Sequence, residues 1–253
     1  MIQLPEKPKV VSHDGNKAVF EISPLYPGYG LTIGNALRRV LISSIEGAAI
    51  TSVKIKGVDH EFSTIEGVME DAIDVILNLK KVRFRLFSDE PVVLNLKKKG
   101  ANKITANDIE PNSDVEVINK DQEIATITDK KAEIEMELKI EKGMGYVPVE
   151  QRQKEKLGVG SIAVDAIFSP VKNINYKVEN MRVGQRTDYN KIILEIETDG
   201  SVSPEETLIR ASKTLIDYFE QVNQLEVPKE KEATTKTSKK KESTKKETKS
   251  KKK

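Results

Sequence analysis

The residues with the clearest potential for binding chemistry are glycines at the start of a predicted helical segment. Gly28, Gly30 and Gly34 lie before and within an apolar stretch that is typical of a helix. Such a run can hold a phosphate, because backbone N–H groups at a helix N-terminus point at the anion. The dinucleotide-binding fingerprint, however, requires its third glycine at the position of Ile33, and no Gly-Lys-Ser or Gly-Lys-Thr follows. We therefore interpret the run as a glycine-rich approach to a helix.

Carboxylates are numerous, but their spacing does not indicate an active site. Glu70, Asp71 and Asp74 fall on a predicted helix, and Glu195 and Glu197 on the outward side of a predicted strand. No Asp-x-Asp-x-Asp cluster that could hold paired Mg²⁺ ions is present, nor is a Gly-x-Ser-x-Gly or His-Glu-x-x-His motif. The absence of cysteine excludes thiol nucleophiles and cysteine-ligated zinc, and there are only two histidines. We predict no catalytic residue, no metal ligand and no cofactor in this chain.

Two adjacent arginines interrupt an otherwise apolar helical segment. Consecutive helix residues point about 100° apart, so Arg38 and Arg39 cannot both avoid the apolar residues around them. Arginine favours partner surfaces that offer carboxylates or backbone carbonyls, but an ion pair inside the same domain explains the pair equally well. A second basic and polar segment, residues 182–188, is predicted to be a turn between strands. Its Arg182 and Arg186 belong either to a solvated loop or to a docking surface.

Strand patterns dominate the chain between its helices. Residues 132–140 alternate strictly between apolar and charged or polar residues, which predicts a strand with one buried face. Further strands are predicted over residues 17–22, 49–56, 82–86, 162–168, 174–183 and 191–197. Their separations are short or irregular, without the regular strand–helix alternation of a doubly wound parallel sheet. The expected fold class is α+β, with mostly antiparallel sheets.

Three helices are predicted, of which the second has a conventional pattern. It spans about residues 65–79 and begins with a capping box of Ser63 and Glu66. Acidic residues early and lysines at the end suit the helix dipole. The predicted core stripe consists of Ile65, Met69, Ala72, Ile73, Ile76 and Leu79.

The first and last helices, residues 33–45 and 204–225, carry more apolar surface than one sheet needs. Ser203, Pro204 and Glu206 form a strong start signal for the last one. The surplus indicates either deep burial within one domain or contact with a second subunit, and for a chain of this size we favour the interface. The predicted interface residues are Ile33, Leu37, Val40, Leu41, Leu208, Leu215, Phe219 and Val222, with further apolar surface from Ile42, Ile45, Ile209 and Ile216.

The net charge of +2 over 253 residues hides two unlike segments. Residues 229–253 contain 12 lysines and four glutamates, so they carry +8 and the rest of the chain carries −6. With Ala233 as the one apolar side chain, this tail is expected to be disordered. No apolar run approaches the roughly 20 residues of a membrane helix, and residues 1–11 lack the apolar core of a signal peptide. We expect a soluble cytoplasmic protein that does not contact membranes.

Six segments, in order, match one known family. They are residues 34–44, which include Asn35-Ala36-Leu37-Arg38-Arg39, and residues 57–68, 143–148, 165–171, 183–188 and 197–206. Over about residues 1–227 the sequence resembles the amino-terminal region of the bacterial RNA polymerase alpha subunits. The resemblance implies a homodimer that is an assembly platform for the beta and beta-prime subunits in DNA-templated transcription.

The resemblance also implies a domain division and residue roles. Residues 1–47 and 171–228 would form a discontinuous dimerisation domain, with a helical dimerisation face, and residues 48–170 an inserted β-rich domain. Arg39, with Arg38 beside it, would dock the beta subunit, and Arg182 and Arg186 are a second choice for the same surface. The nucleotidyltransferase chemistry and its Mg²⁺ would belong to beta-prime.

The sequence departs from the family pattern at its C-terminus. Alpha subunits typically continue into a small helical domain that binds promoter DNA, whereas residues 229–253 show no apolar periodicity. The lysine-rich tail either attracts DNA phosphates weakly and in a salt-dependent way, or is a solubilising segment. A stand-alone nucleic-acid-binding dimer is the alternative function, and an enzyme acting alone comes third.

Overall fold

The computed structural model describes residues 4–152, 158 and 160–225, so the lysine-rich tail lies outside the described residues. The elements in chain order are β1 Lys9–Asp14, β2 Lys17–Leu25, α1 Tyr29–Ser43, β3 Glu46–Ile55, α2 Ala72–Leu79, β4 Phe84–Leu86, β5 Val92–Lys99, β6 Lys103–Thr105, a 3₁₀ turn Ala106–Asp108, β7 Val115–Val117, β8 Glu123–Thr126, β9 Glu133–Met144, β10 Tyr146–Val147, α3 Val149–Arg152, β11 Ser161–Ala163, β12 Ala166–Ile167, β13 Val171–Val183, β14 Arg186–Thr198 and α4 Pro204–Asn223.

The first and last elements together form one packed unit, which we call the terminal body. Its four-stranded antiparallel sheet has the order β1-β2-β14-β13, and α1 and α4 pack on each other and on this sheet. Alternate residues of β2 and β14 face the helices, because successive strand residues point to opposite faces. The core consists of Ala18, Phe20, Ile22, Leu25, Leu37, Leu41, Ile45, Ile174, Ile192, Leu194, Ile196, Leu208 and Ala211.

Helix α1 lies unusually close to the sheet because of its glycines. A Cβ atom on Gly34 would lie 2.6 Å from Cδ2 of Tyr176, and one on Gly30 would lie 2.6 Å from Cγ1 of Val178. Both distances are too short for a side chain, so only glycine allows the helix to rest on β13 at this spacing. The glycine run that resembled a phosphate cradle is thus explained by packing.

The elements from β3 to β12 form a second unit, the middle body, with its own core. Its largest sheet has the order β5-β9-β3-β4-β7, and β11 pairs with β3. The strict alternation of β9 buries one face, as predicted. Among its fully buried side chains are Ile55, Leu79, Phe84, Leu96, Ile104, Ile124, Ile134, Met136 and Leu138. All the strand pairs of both bodies that the structure describes are antiparallel, which confirms the predicted α+β class.

The prediction for the second helix was wrong at its N-terminal half. Helix α2 begins at Ala72, and no side-chain hydrogen bond caps it, so the capping box of Ser63 and Glu66 does not form. Residues before it pair with the edge of the middle body instead, since the N–H of Met69 donates to the carbonyl of Thr126 at 2.9 Å. Gly67, with φ of 73°, turns the chain there.

This pairing also changes the core stripe of α2. Met69 and Ile73 are exposed, whereas Ala72, Ile76 and Leu79 are buried as expected and Ile65 is buried from the preceding loop. Val75, which was not in the predicted stripe, is fully buried. The buried stripe differs from the predicted one because α2 has only about two turns, and the middle body covers the side that bears Val75 and not the side that bears Ile73.

Two other boundaries differ from the predictions. The strand expected over 162–168 is divided into β11 and β12, because the two parts pair with different strands, β11 with β3 and β12 with β10. Helix α1 begins four residues earlier than expected, within the glycine run. Helix α4 begins as predicted, with the N–H of Glu206 donating to Oγ of Ser203 at 3.2 Å, although the Glu206 carboxylate pairs with Arg210 rather than completing the box.

Candidate functional site

The second half of α4 is an apolar helix surface that the described chain does not cover. Leu208 and Ala211, near its start, are buried in the terminal body. About two and three turns after Ala211, Phe219 is 67% exposed and Val222 is 70% exposed, although both continue the same stripe. The other large apolar side chains exposed on or just after α4 are Ile209, Ile216, Tyr218 and Leu225. An exposed apolar surface of this extent is typical of an interaction site.

Helix α1 also carries apolar side chains outside the core, and it packs directly against α4. Leu31 and Ile42 are exposed on one side of the helix, and Ile33 and Val40 are half-buried on the other, since successive residues lie 100° apart around it. Both helices of the terminal body therefore leave apolar side chains accessible.

The eight predicted interface residues divide into three groups. Phe219 and Val222 are exposed, and Ile33, Val40 and Leu215 are half-buried. Leu37, Leu41 and Leu208 are 5%, 0% and 7% exposed and belong to the core of the chain itself, so they have no free area to offer a partner. Sequence reasoning missed Leu31, Tyr218 and Leu225. Tyr218 lies three residues after Leu215, and Leu225 three after Val222, so helical spacing could have added both to the stripe.

Arg38 and Arg39 are exposed on the C-terminal half of α1. The arginine ion pairs in the described part of the chain are those of Arg83, Arg85, Arg152, Arg186 and Arg210. Within these residues, the ion pair expected under the intradomain alternative is therefore not formed by Arg38 or Arg39. Their guanidinium groups remain accessible to a carboxylate or carbonyl of another molecule.

The turn between β13 and β14 is organised around Arg186. Its Nε and Nη2 donate to the two carboxylate oxygens of Asp188 at 3.0 and 2.7 Å. Its Cζ lies 5.7 Å from the ring centre of Tyr26 and 5.3 Å from that of Tyr189. Hydrogen bonding to Arg186 lowers the pKa of Asp188, and the same bonds raise the pKa of Arg186.

Arg182 is held within the same turn, because its Nε donates to the carbonyl of Gly184 at 2.8 Å. Both arginines of this turn are thus fixed by their own surroundings, in contrast to Arg38 and Arg39. Tyr26 also contacts Tyr29, with ring centres 5.9 Å apart, so the turn lies beside the start of α1. At 1.5 Å per residue, Arg39 is about 15 Å further along the helix. The two predicted docking clusters lie near opposite ends of α1.

Asn190 connects this turn to α1. Its Oδ1 accepts hydrogen bonds from the N–H groups of Gly28 and Gly30, at 2.9 and 3.4 Å, and its Nδ2 donates to Oδ1 of Asn180 at 3.2 Å. The cap residue of α1 is Gly28, which has no side chain to accept from the helix. The N–H of Tyr29 donates to the carbonyl of Tyr26 at 3.0 Å, and Asn190 supplies the acceptor for the N–H of Gly30. Sequence reasoning missed Asn190 because it lies 160 residues from the helix that it caps.

Comparison with known proteins decides the family. A family model described as "RNA polymerase Rpb3/RpoA insert domain" matches residues 53–169. The chain is 46% identical to the "DNA-directed RNA polymerase subunit alpha" of Symbiobacterium thermophilum over 238 residues, which are 90% of this chain and 75% of the relative. It is 49% identical to that of Moorella thermoacetica and 48% identical to that of Flavobacterium psychrophilum, over 85% and 86% of this chain and 69% and 66% of the relatives. The chain belongs to the family of the RNA polymerase alpha subunits.

Two glycines in the segments that matched the alpha subunits are explained by close packing. Gly34, in the first segment, allows α1 to approach Tyr176. A Cβ atom on Gly143, in the third, would lie 2.6 Å from Cε2 of Phe168, which belongs to the fourth. These glycines let chain segments that are distant in sequence touch.

Asp165, in the fourth of these alpha-subunit segments, holds two neighbouring loops. It accepts hydrogen bonds from the N–H of Val149 at 3.0 Å and from Nζ of Lys80 at 3.3 Å. The bond from Val149 is the largest cause that lowers the pKa of Asp165, and Lys80 adds to it. The carboxylate is therefore charged at neutral pH and joins the end of α2 to the start of α3.

Neither a metal site nor a membrane-spanning helix is found among the described residues of this chain. Within 4–152, 158 and 160–225, no group of three or more His, Asp or Glu side chains is placed to hold a metal ion. In the same ranges no helix is long and apolar enough to span a membrane.

Proposed function

We propose that this chain is a non-catalytic alpha subunit that forms a homodimer and is the assembly platform for the beta and beta-prime subunits of a DNA-directed RNA polymerase. The observation that carries this proposal is the apolar surface on the second half of α4 and the adjoining side of α1. A protomer that left Phe219 and Val222 in water would lose the free energy of burying them, about 1.5–3 kcal/mol for each large apolar side chain. A second copy of the chain would supply a matching surface, because a two-fold interface uses the same patch on both subunits.

The proposed domain division follows the two cores. Residues 1–47 and 171–228 would form the dimerisation domain, to which both α1 and α4 belong, and residues 48–170 the inserted domain. In support, the buried residues of one core lie between Ile50 and Val164, and those of the other lie outside that range.

The proposed docking of the beta subunit uses Arg39, with Arg38 beside it. In support, both are exposed and lack an ion pair among the described residues, so a partner carboxylate or carbonyl can be bound without breaking an existing contact. Arg182 and Arg186 remain a secondary prediction, since each is already held within its own turn. Catalysis and its Mg²⁺ would lie in beta-prime, and contact with DNA would occur through the complex or weakly through residues 229–253.

The test is co-expression of the chain with beta and beta-prime. We expect Arg39→Ala to leave the homodimer intact and to reduce recovery of the beta subunit at least tenfold, because it removes a charged contact worth about 1.5–3 kcal/mol. Size-exclusion chromatography with light scattering measures the dimer, and affinity purification measures recovered beta.

Arg210→Ala is the matched control, an exposed helix arginine whose partner is Glu206 of the same helix. It should recruit beta like the parent chain. Normal recruitment by the Arg39 variant would refute the docking assignment. A monomeric parent chain at micromolar concentration would refute the dimer.

A further inference from the structure

The two bodies are joined by two neighbouring segments of chain. The chain leaves the terminal body near Gly47 and returns near Phe168, and these segments touch, since a Cβ atom on Gly47 would overlap the carbonyl oxygen of Phe168. Oγ of Ser169 also donates to the carbonyl of Ile42 at 3.2 Å. A connection made by two adjacent segments acts as a hinge, because it leaves the bodies free to rotate about one line unless a contact elsewhere prevents it.

A contact away from this hinge is formed by Arg85, in β4 of the middle body. Its Nε donates to the carbonyl of Ser201 at 2.7 Å, and its Nη2 donates to the carbonyl of Gly200 at 3.2 Å. Its Nη1 donates to Glu116, on the neighbouring strand β7 of the same body, at 3.0 Å. One planar guanidinium therefore joins the middle body to the loop that leads into α4, which a lysine could do at only one point.

The receiving loop of the terminal body is itself rigid. Oδ1 of Asp199 accepts hydrogen bonds from the N–H and Oγ of Ser201, at 2.9 and 2.6 Å. Its Oδ2 lies 3.8 Å from Nε of Arg83 in the middle body, a longer contact between the two bodies beside that of Arg85. The Asp199 side chain is only 8% exposed. Gly200, with φ of 94°, leaves room for Ile118 of the middle body, which a Cβ atom would approach to 3.2 Å. The loop passes directly to Ser203, the cap of α4.

Between the hinge and this contact lies an open cleft of about 910 Å³. It is lined by the crossing segment near Gly47, by residues 84–87 of the middle body and by the side of α4 that bears Arg210, Lys213 and Asp217. The width of the cleft would change if the bodies rotated, and the bonds of Arg85 to residues 200 and 201 oppose that rotation.

We propose that Arg85 is a positioning residue that locks the angle between the middle body and α4. The lock makes the α4 surface and the surfaces of the middle body one rigid unit. Its consequence for assembly rests on the proposed function, because a dimer that binds large subunits with both bodies needs a fixed angle between them. The lock itself is a property of the chain alone.

Pulsed electron spin resonance on the full chain tests the lock. The chain has no cysteine, so Asn95→Cys in β5 and Asn175→Cys in β13 place one spin label on an exposed strand position of each body. Labelled chain is diluted with unlabelled chain so that distances within one protomer dominate. We expect one narrow distance distribution in the parent and a broadened or shifted distribution in Arg85→Met. Circular dichroism establishes that each variant is folded.

Glu116→Gln is the matched control, because it weakens the pairing of Arg85 within the middle body and leaves both bonds to the terminal body in place. Its distribution should equal that of the parent. The distance distribution of Arg85→Lys should be intermediate between those of the parent and Arg85→Met. If the methionine variant does not fold, the lysine variant is used for the test in its place. An unchanged distribution in Arg85→Met, or in Arg85→Lys where only that variant folds, would overturn the lock.

Co-expression with beta and beta-prime tests separately whether the fixed angle between the bodies is needed to bind the large subunits. Reduced recovery of the large subunits with Arg85→Met, alongside a broadened distribution and an intact dimer, supports both statements. Normal recovery with a broadened distribution overturns the consequence for assembly. A parent chain that does not assemble contradicts the proposed function and leaves the lock in place.

Discussion

At the scale of single residues, Asn190 caps the start of α1, a function that usually belongs to the residue just before the helix. A helix begins with N–H groups that have no partner within the helix, and a side-chain oxygen normally satisfies one of them. Here Gly28 occupies the cap position, where its φ of 86° turns the chain into the helix. The oxygen comes instead from β14, so the start of α1 is tied to the sheet rather than to its own preceding loop.

We predict that Asn190→Ala lowers the free energy of unfolding by about 1–2 kcal/mol, because it leaves the amides of Gly28 and Gly30 without their acceptor. Urea denaturation followed by circular dichroism measures the change. Asn180→Ala is the control, since it removes only the exposed partner of the Asn190 amide, and its effect should be smaller. Equal effects of the two variants would show that capping by Asn190 contributes little.

At the scale of elements, α4 is one regular helix with two environments. Its stripe begins in the core of the terminal body at Leu208 and Ala211 and ends in solvent at Phe219 and Val222. Local helix geometry is the same throughout, so the change comes from the sheet, which covers only the first half. The second half keeps its apolar residues and is the part that we assign to dimerisation.

Phe219→Glu should convert the dimer to a folded monomer. The side chain is exposed in one protomer, so a charge there leaves the protomer core intact, but at the proposed interface it would have to lose its hydration. Light scattering coupled to size-exclusion chromatography gives the mass, and the thermal unfolding curve reports the fold.

Gln224→Glu introduces the same charge at the end of the helix, about 140° away from Phe219 and on the polar side that bears Lys213 and Asp217, and should remain a dimer. If both variants are dimers, the second half of α4 is not the interface.

At the scale of the whole molecule, the chain builds two cores in an interrupted order. The terminal body consists of β1, β2 and α1 from before the middle body in the chain and of β13, β14 and α4 from after it. The exit near Gly47 and the return near Phe168 are in contact, so the middle body is inserted at one place on the terminal body. Such an arrangement lets the inserted unit fold on its own core.

Residues 48–170 expressed alone should therefore fold and unfold cooperatively. The free energy of unfolding should be lower than that of the same unit within the full chain, because the bonds from Arg85 to Gly200 and Ser201 are lost. Thermal unfolding by circular dichroism and the dispersion of amide signals in NMR spectra are the measurements.

The complementary chain joins residue 47 to residue 171 through a short glycine linker. It should dimerise, since closing so short a gap costs little chain entropy. An unfolded 48–170 segment would show instead that the two cores depend on each other.

The sequence predicted an element correctly where local contacts decide its bounds, and failed where a contact with a distant part of the chain decides them. The alternation of β9 and the start of α4 at Ser203 were predicted because pleat and capping act within a few residues. The start of α2 was not, because the N–H of Met69 pairs with Thr126, and sequence spacing does not reveal such a partner. For the same reason Asn190 had no local signal.

The sequence alone determined the α+β class, the surplus of apolar surface on two helices, the adjacent arginine pair that interrupts one of them, and the family resemblance. The class and the surplus follow from periodicity, which depends on the geometry of a helix or strand and on nothing further away, and the resemblance follows from six matching segments. Only the tertiary structure decided that Leu37, Leu41 and Leu208 fill the protomer core while Phe219 and Val222 face solvent, and that Arg85 reaches the loop before α4. Burial and long-range hydrogen bonds depend on which distant element lies over each turn, and the folded chain alone establishes that.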